Sequence, residues 1–267
     1  AVGMLFTYYL SRDKDDARGK LAQWITMIAS IPEVILLIVA GFRVGVLAES
    51  MSVLFAGLLS FFLCIYIVSI DNTVVTSPFR PISAIGICGT MLALSMSGFS
   101  DSPDIMGEDT IRFVISLVLC IAVPLIITVI KREDFEDEPF KIAKIVMPFA
   151  MIGLTFIYVI LEKTIIDNEI TFMYSVIDFI SAILTIGFGG LLVYQGVTEI
   201  KILTINLGLL TVFTQILGIY NNIGDGNIFV FGILLVIFGA SIIFINWKML
   251  SIKKSQQEQL NGGGTDA

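Results

Sequence analysis

Eight apolar segments, each near the length needed to cross a bilayer, recur along this chain: residues 22–42, 50–70, 82–99, 111–130, 143–161, 171–194, 202–220 and 228–247. A spanning helix needs ~20 mostly apolar residues to traverse ~30 Å of hydrocarbon. In lipid each backbone N–H and C=O must find its partner within the protein, which helices do locally. The expected fold class is therefore all-α, a polytopic transmembrane bundle of about eight spanning helices. The connections are short and carry the turn and charge signals: DNTVVTSPFRP, SDSPDIMGEDT, KREDFEDEPFK, EKTIIDNE, GVTEIK and NNIGDGN. The first two segments are separated only by a brief stretch around Arg43 and Glu49. Composition agrees: 56% of the 267 residues are hydrophobic and only 15% charged, against roughly a quarter charged in soluble domains. Residues 1–250 are expected to form one membrane-embedded domain. Residues 251–267 form a polar, Gly-rich tail expected to be disordered in the cytoplasm. The apolar stretch 1–10 is too short to span; it reads either as an interfacial segment or as the end of a longer helix.

The distribution of basic residues supplies an orientation. With residues 11–20 in the cytoplasm and every segment crossing, one side holds Arg12, Lys14, Arg18, Lys20, Arg80, Lys131, Arg132, Lys141, Lys144, Lys201, Lys248, Lys253 and Lys254. The other holds Arg43, Arg112 and Lys163. The split is 13 to 3, which accounts for all 16 Lys and Arg. Cytoplasmic loops carry the Lys/Arg excess, so both ends of the eight-helix unit are expected in the cytoplasm and the protein in the plasma membrane. One span too many or too few in the middle would scramble this split.

Several chemistries are excluded or disfavoured. The chain has no histidine, which removes Ser-His-Asp and Cys-His schemes and His-ligated zinc. Cys64, Cys88 and Cys120 all lie inside apolar segments at spacings that match no metal motif. A net charge of −7 gives no electrostatic footprint for nucleic acid. The outer loop carries Asp101, Asp104, Glu108 and Asp109 but lacks the Asp-x-Asp-x-Asp-Gly spacing of a calcium loop; it reads as a solvated acidic loop. The stretch Asn222-Ile223-Gly224-Asp225 lacks the first Gly of the intramembrane aspartyl protease motif and falls in an outer turn. No phosphate-binding Gly loop, nucleophile elbow or Arg ladder is present. No cofactor, no metal and no enzymatic activity are expected.

The informative residues are polar ones inside the apolar segments. Glu33 follows Pro32 in the first, and Asp178 lies in the sixth. An ionised group at the bilayer centre costs ~2.5–3.5 kcal/mol on insertion scales, so such groups normally face the bundle or a water cavity. In the sixth segment Tyr174, Asp178, Ser181, Ala182, Thr185 and Gly189 recur at steps of three and four and form one face. The seventh repeats the pattern with Thr204, Gly208, Thr211, Gln215 and Gly218. Small residues let membrane helices approach closely, and hydroxyl and amide groups bond across the contact. The two faces are expected to pack together. Asp178 and Gln215, at similar depth, are expected to approach each other or share a water.

In its last third the sequence FGGLLVYQGVTEIKILTINLGLLTVFTQILGIYNNIGDGNIFVFGILLVIFGASIIFINWKM resembles the end of the domain of unknown function 2157 family of predicted prokaryotic membrane proteins. The features that carry the likeness are Gly196, the run Asn206 to Gly208, Tyr220 and the Gly-rich last segment ending in basic residues. The earlier stretch ISAIGICGTMLALSMSGFSD is similar in style. The likeness covers about half the chain. It implies a multi-helix bacterial or archaeal membrane protein of no established activity, and it supplies no catalytic residues.

Three functions fit these residues. The first is a non-enzymatic membrane protein acting as scaffold, assembly partner or sensor, with lipid and either another membrane protein or a second copy of the chain as partners. The second is a transporter or channel for protons, cations or a small polar solute, using Glu33 and Asp178. The third is a lipid-directed enzyme, which requires the outer-loop carboxylates to gather around a metal.

Overall fold

The computed structural model describes residues 21, 24–25, 51–69, 79–97, 109–130, 139–164, 170–199, 201–223 and 228–262. Among these the chain is all-α, with seven helices: α1 (Met51–Val68), α2 (Phe79–Ser97), α3 (Asp109–Ile130), α4 (Pro139–Thr164), α5 (Ile170–Thr198), α6 (Ile202–Ile223) and α7 (Ile228–Gly262). Each covers one of the apolar segments from residue 50 onward. Of the segment 22–42, only Trp24 and Ile25 are described; both are helical and exposed. Four helical stretches are long and apolar enough to cross a membrane: Phe79–Met96, Val176–Thr198, Ile202–Tyr220 and Gly232–Ile252. Three shorter apolar stretches accompany them: Leu54–Val68, Val118–Ile130 and Ile142–Tyr158. The protein is thus a multi-span membrane protein by the length and composition of its helices.

The chain divides into two compact units, with the boundary inside α5 between Leu184 and Thr185. In the first unit α1 packs against α2, α3 and α4. Its Leu59, Leu63 and Ile67 recur every four residues and are fully enclosed, as helical periodicity demands of a stripe turned to the core. Ile87, Met91 and Leu94 of α2 and Met151, Ile152 and Tyr158 of α4 are enclosed likewise. α1 also buries Ser60, Ile65 and Val68 on other faces, which suits a helix with neighbours on several sides. The α1–α2 contact is close at Gly86, where a Cβ would stand within 2.5 Å of the Phe62 ring atoms. α1 ends at Ser69. The Ser69 N–H donates to the Ile65 and Tyr66 carbonyls, its hydroxyl donates again to Tyr66, and its own carbonyl accepts Arg80 Nε–H at 2.9 Å. That last bond ties the end of α1 to the start of α2 and satisfies a carbonyl that no helical N–H reaches.

Pro124 lies within α3 and Pro148 within α4. Each lacks an N–H and so leaves the carbonyl four residues earlier, on Cys120 or Lys144, without its helical donor. Transmembrane helices tolerate this where neighbouring groups satisfy the freed backbone. The outward face of α3 carries Val118, Leu119, Val123, Leu125, Ile126 and Val129, all exposed. In water such a face would be a liability; against lipid chains it is in its own medium.

The second unit comprises the remainder of α5 with α6 and α7. α5 and α6 form a tight antiparallel hairpin. The Lys201 N–H donates to Gly196 O and the Glu199 N–H to Gln195 O, each at 2.8 Å, the pattern by which a helix end absorbs its last carbonyls. The turn is polar and exposed: Glu199 accepts from Gln195 Nε2 and from Lys201 Nζ. α7 meets α6 through Phe213 and Phe238, stacked with ring centroids 3.8 Å apart and planes at 6°.

Candidate functional site

The residues of interest are the polar side chains within the spans, because lipid offers them no hydrogen-bonding partner. Glu33 lies outside the described residues. Tyr174 is on the first turns of α5, with its side chain outside the described set.

In the first unit, Asp178 is exposed on the outer surface of α5, flanked by exposed Phe179 and Ile180. It sits eight residues, or about 12 Å, from the start of its helix at 1.5 Å per residue. Ser181, one turn on, is fully buried. Its hydroxyl donates to the Asp178 carbonyl at 2.8 Å and is hydrogen-bonded to Ser95 Oγ of α2 at 3.2 Å. Ser95 and Ser181 therefore join two helices whose residues are 86 positions apart. Sequence reasoning identified Ser181 but not Ser95. α2 carries Ser83, Thr90 and Ser95 at irregular steps, so no single polar face announced the contact.

In the second unit, α5 turns Thr185, Phe188, Gly189, Leu192 and Gly196 inward, and α6 turns Ile205, Gly208, Thr211, Gln215 and Gly218 inward. The two glycine-bearing faces meet. A Cβ on Gly189 would lie 2.9 Å from Gly208 O, and one on Gly208 would lie 2.5 Å from Gly189 O and 2.8 Å from Val193 N. A Cβ on Gly196 would lie 2.7 Å from Ile205 N. The expected pairing of small-residue faces is thus present in this part of the hairpin, and glycine is needed because backbone opposes backbone.

Thr185 and Thr211 are buried on this seam. The Thr211 hydroxyl donates to Leu207 O, four residues back, at 2.8 Å. Gln215 is only 2% exposed, and its Oε1 has no hydrogen-bond partner. A buried acceptor left without a donor costs about 1–3 kcal/mol. Two asparagines show the same condition at their Oδ1 atoms, Asn206 on α6 and Asn246 on α7; an amide within an apolar run is the sequence signal for both.

Lys144, near the start of α4, is buried at 3% exposure. It lies on the side of the chain that the charge split assigns to the cytoplasm, where a long side chain can run its stem along apolar surface. Among the described residues no three His, Cys, Asp or Glu side chains gather as metal ligands. None of Cys64, Cys88 and Cys120 is in a disulfide. Most of the acidic loop lies outside the described residues.

Comparison with protein-family models, with curated proteins and with solved structures finds no match. The chemistry of the chain's own side chains is accordingly the only guide to what the bundle does.

Proposed function

We propose that the chain is an eight-span plasma-membrane protein with both ends in the cytoplasm, acting non-enzymatically as a scaffold, assembly partner or sensor. One observation carries this reading: five hydroxyls within the described spans are turned onto their own helices. Thr90, Thr128, Thr155, Thr211 and Ser241 each donate to the carbonyl four residues back, at 2.7–3.1 Å. Groups engaged in this way satisfy their donors within their own helix and keep only an acceptor for anything else. The Ser95–Ser181 bond joins helix to helix in the same manner. The large apolar side chains of α3 and α7, by contrast, point outward, where lipid or another membrane helix meets them.

A proteoliposome assay separates this from transport. Purified chain in sealed vesicles is expected to leave imposed proton and monovalent cation gradients at the rate of protein-free vesicles. A flux that disappears with Glu33→Gln or Asp178→Asn would replace the scaffold by a transporter working through those carboxyls. Photo-crosslinking from Val236 and Ile243 on the exposed side of α7, in native membranes, is expected to give a discrete protein adduct. Lipid adducts alone would remove the assembly role.

A further inference from the structure

Gln215 Oε1 is the most enclosed polar atom without a hydrogen-bond partner among the described residues of the second unit, and its surroundings specify what it takes. The α5–α6 crossing runs antiparallel with a clear register: Gly196 meets Ile205, Val193 meets Gly208, and Gly189 meets Thr211 and Val212. One further turn along both helices sets Thr185 opposite Gln215. Thr185, Thr211 and Gln215 are all buried, so three side-chain oxygens line this seam within one helical turn of each other. Thr211 spends its single proton on Leu207 O, which leaves its oxygen able to accept only. Gln215 Oε1 is likewise an acceptor with no donor.

We propose that this level of the seam binds one water molecule, which donates to Gln215 Oε1 and to a threonine hydroxyl oxygen. A buried water is held by two to four polar groups, and the seam supplies three oxygens. The ligand must donate at least twice, be small enough to lie between helices in contact at Gly189 and Gly208, and carry no charge, since no ionisable side chain shares this level among the described residues of the unit. A metal cation fits poorly with three neutral oxygens. Water meets all of these conditions. The inference concerns the hairpin alone and stands whether or not the chain acts as a scaffold.

Water-edited solid-state NMR on the full chain in lipid bilayers tests it directly. Magnetisation starting on water is expected to reach the Gln215 carboxamide and the Thr185 methyl at short mixing times, while Ile205, equally buried one helix turn beyond the glycine contact, stays dark. If Gln215 is as dark as Ile205, the proposal fails. The transfer should persist in perdeuterated lipid. Its loss there would assign the signal to lipid C–H protons and overturn the assignment to water. Gln215→Met keeps length and removes the acceptor; it is expected to lower the melting temperature and to abolish transfer to Thr185. Unchanged transfer, or a higher melting temperature, contradicts the proposal. Should that variant fail to fold, the measurements on the unmodified chain decide alone.

Discussion

Gly189 and Gly208 hold α5 and α6 in backbone contact: a Cβ on Gly208 would come within 2.5 Å of the Gly189 carbonyl oxygen. Atoms at that separation overlap, and neither partner is a flexible side-chain end that can swing away. Gly208→Ala is therefore expected to destabilise the chain by about 1–3 kcal/mol, the range for forcing extra volume into a packed contact. Thermal unfolding in detergent or nanodiscs measures it. Gly190→Ala is the control, since nothing lies within 4 Å of its Cβ position; it is expected to leave the melting temperature unchanged or slightly raised.

Gly86 and Phe62 make a different kind of contact. The atoms crowding a Cβ on Gly86 belong to an aromatic ring, which a smaller residue can replace. Gly86→Ala is expected to lower stability, and adding Phe62→Leu to recover part of the loss, so that the pair deviates from additivity by about 0.5–3 kcal/mol. Additive effects of the two substitutions would show that the ring simply moves aside.

The Ser95–Ser181 bond can be weighed by a double-mutant cycle with Ser95→Ala and Ser181→Ala. Hydrogen bonds between membrane helices average a coupling of about 0.6 kcal/mol. A coupling indistinguishable from zero would mean that the buried hydroxyls bond only to their own backbones.

The proposed orientation predicts labelling from outside intact cells. With Cys64, Cys88 and Cys120 replaced by Ala, a cysteine at Lys163 is expected to react with a membrane-impermeant maleimide. One at Lys141 is expected to react only after the membrane is opened. The reverse pattern would invert the chain, and labelling of both from outside would change the number of spans between them.

Much of the helical architecture was legible because lipid imposes one demand, a run of about 20 apolar residues per crossing; α2, α5, α6 and α7 meet it, while α1, α3 and α4 carry shorter apolar stretches. The facing of Gly189 against Gly208 was legible too, since steps of three and four in α5 and α6 fall on one side of a helix. The Ser95–Ser181 bond was not. Residues 86 positions apart meet only where the fold brings α5 against α2, and local periodicity says nothing about that. The approach of Gly86 to Phe62 was hidden for the same reason. Asp178 shows another limit. Its presence in a span was plain, but spacing alone did not separate it from Ser181, which turns inward while Asp178 stays exposed. Three positions apart, they stand only about 60° from each other around the helix, so the edge of the packed face falls between them.

The length of α7 has a consequence for the whole second unit. Its 35 residues extend about 52 Å at 1.5 Å per residue, well beyond ~30 Å of hydrocarbon. Its depth is set by its apolar stretch, Gly232–Ile252, and Lys248 and Lys254, both exposed near the end of that stretch, reinforce that limit. In the proposed orientation each gains about 1 kcal/mol near the anionic cytoplasmic leaflet, and each loses it if drawn into the hydrocarbon. They act as a vertical stop. Because Phe238 is stacked on Phe213, the same stop also sets how deep the α5–α6 hairpin rides.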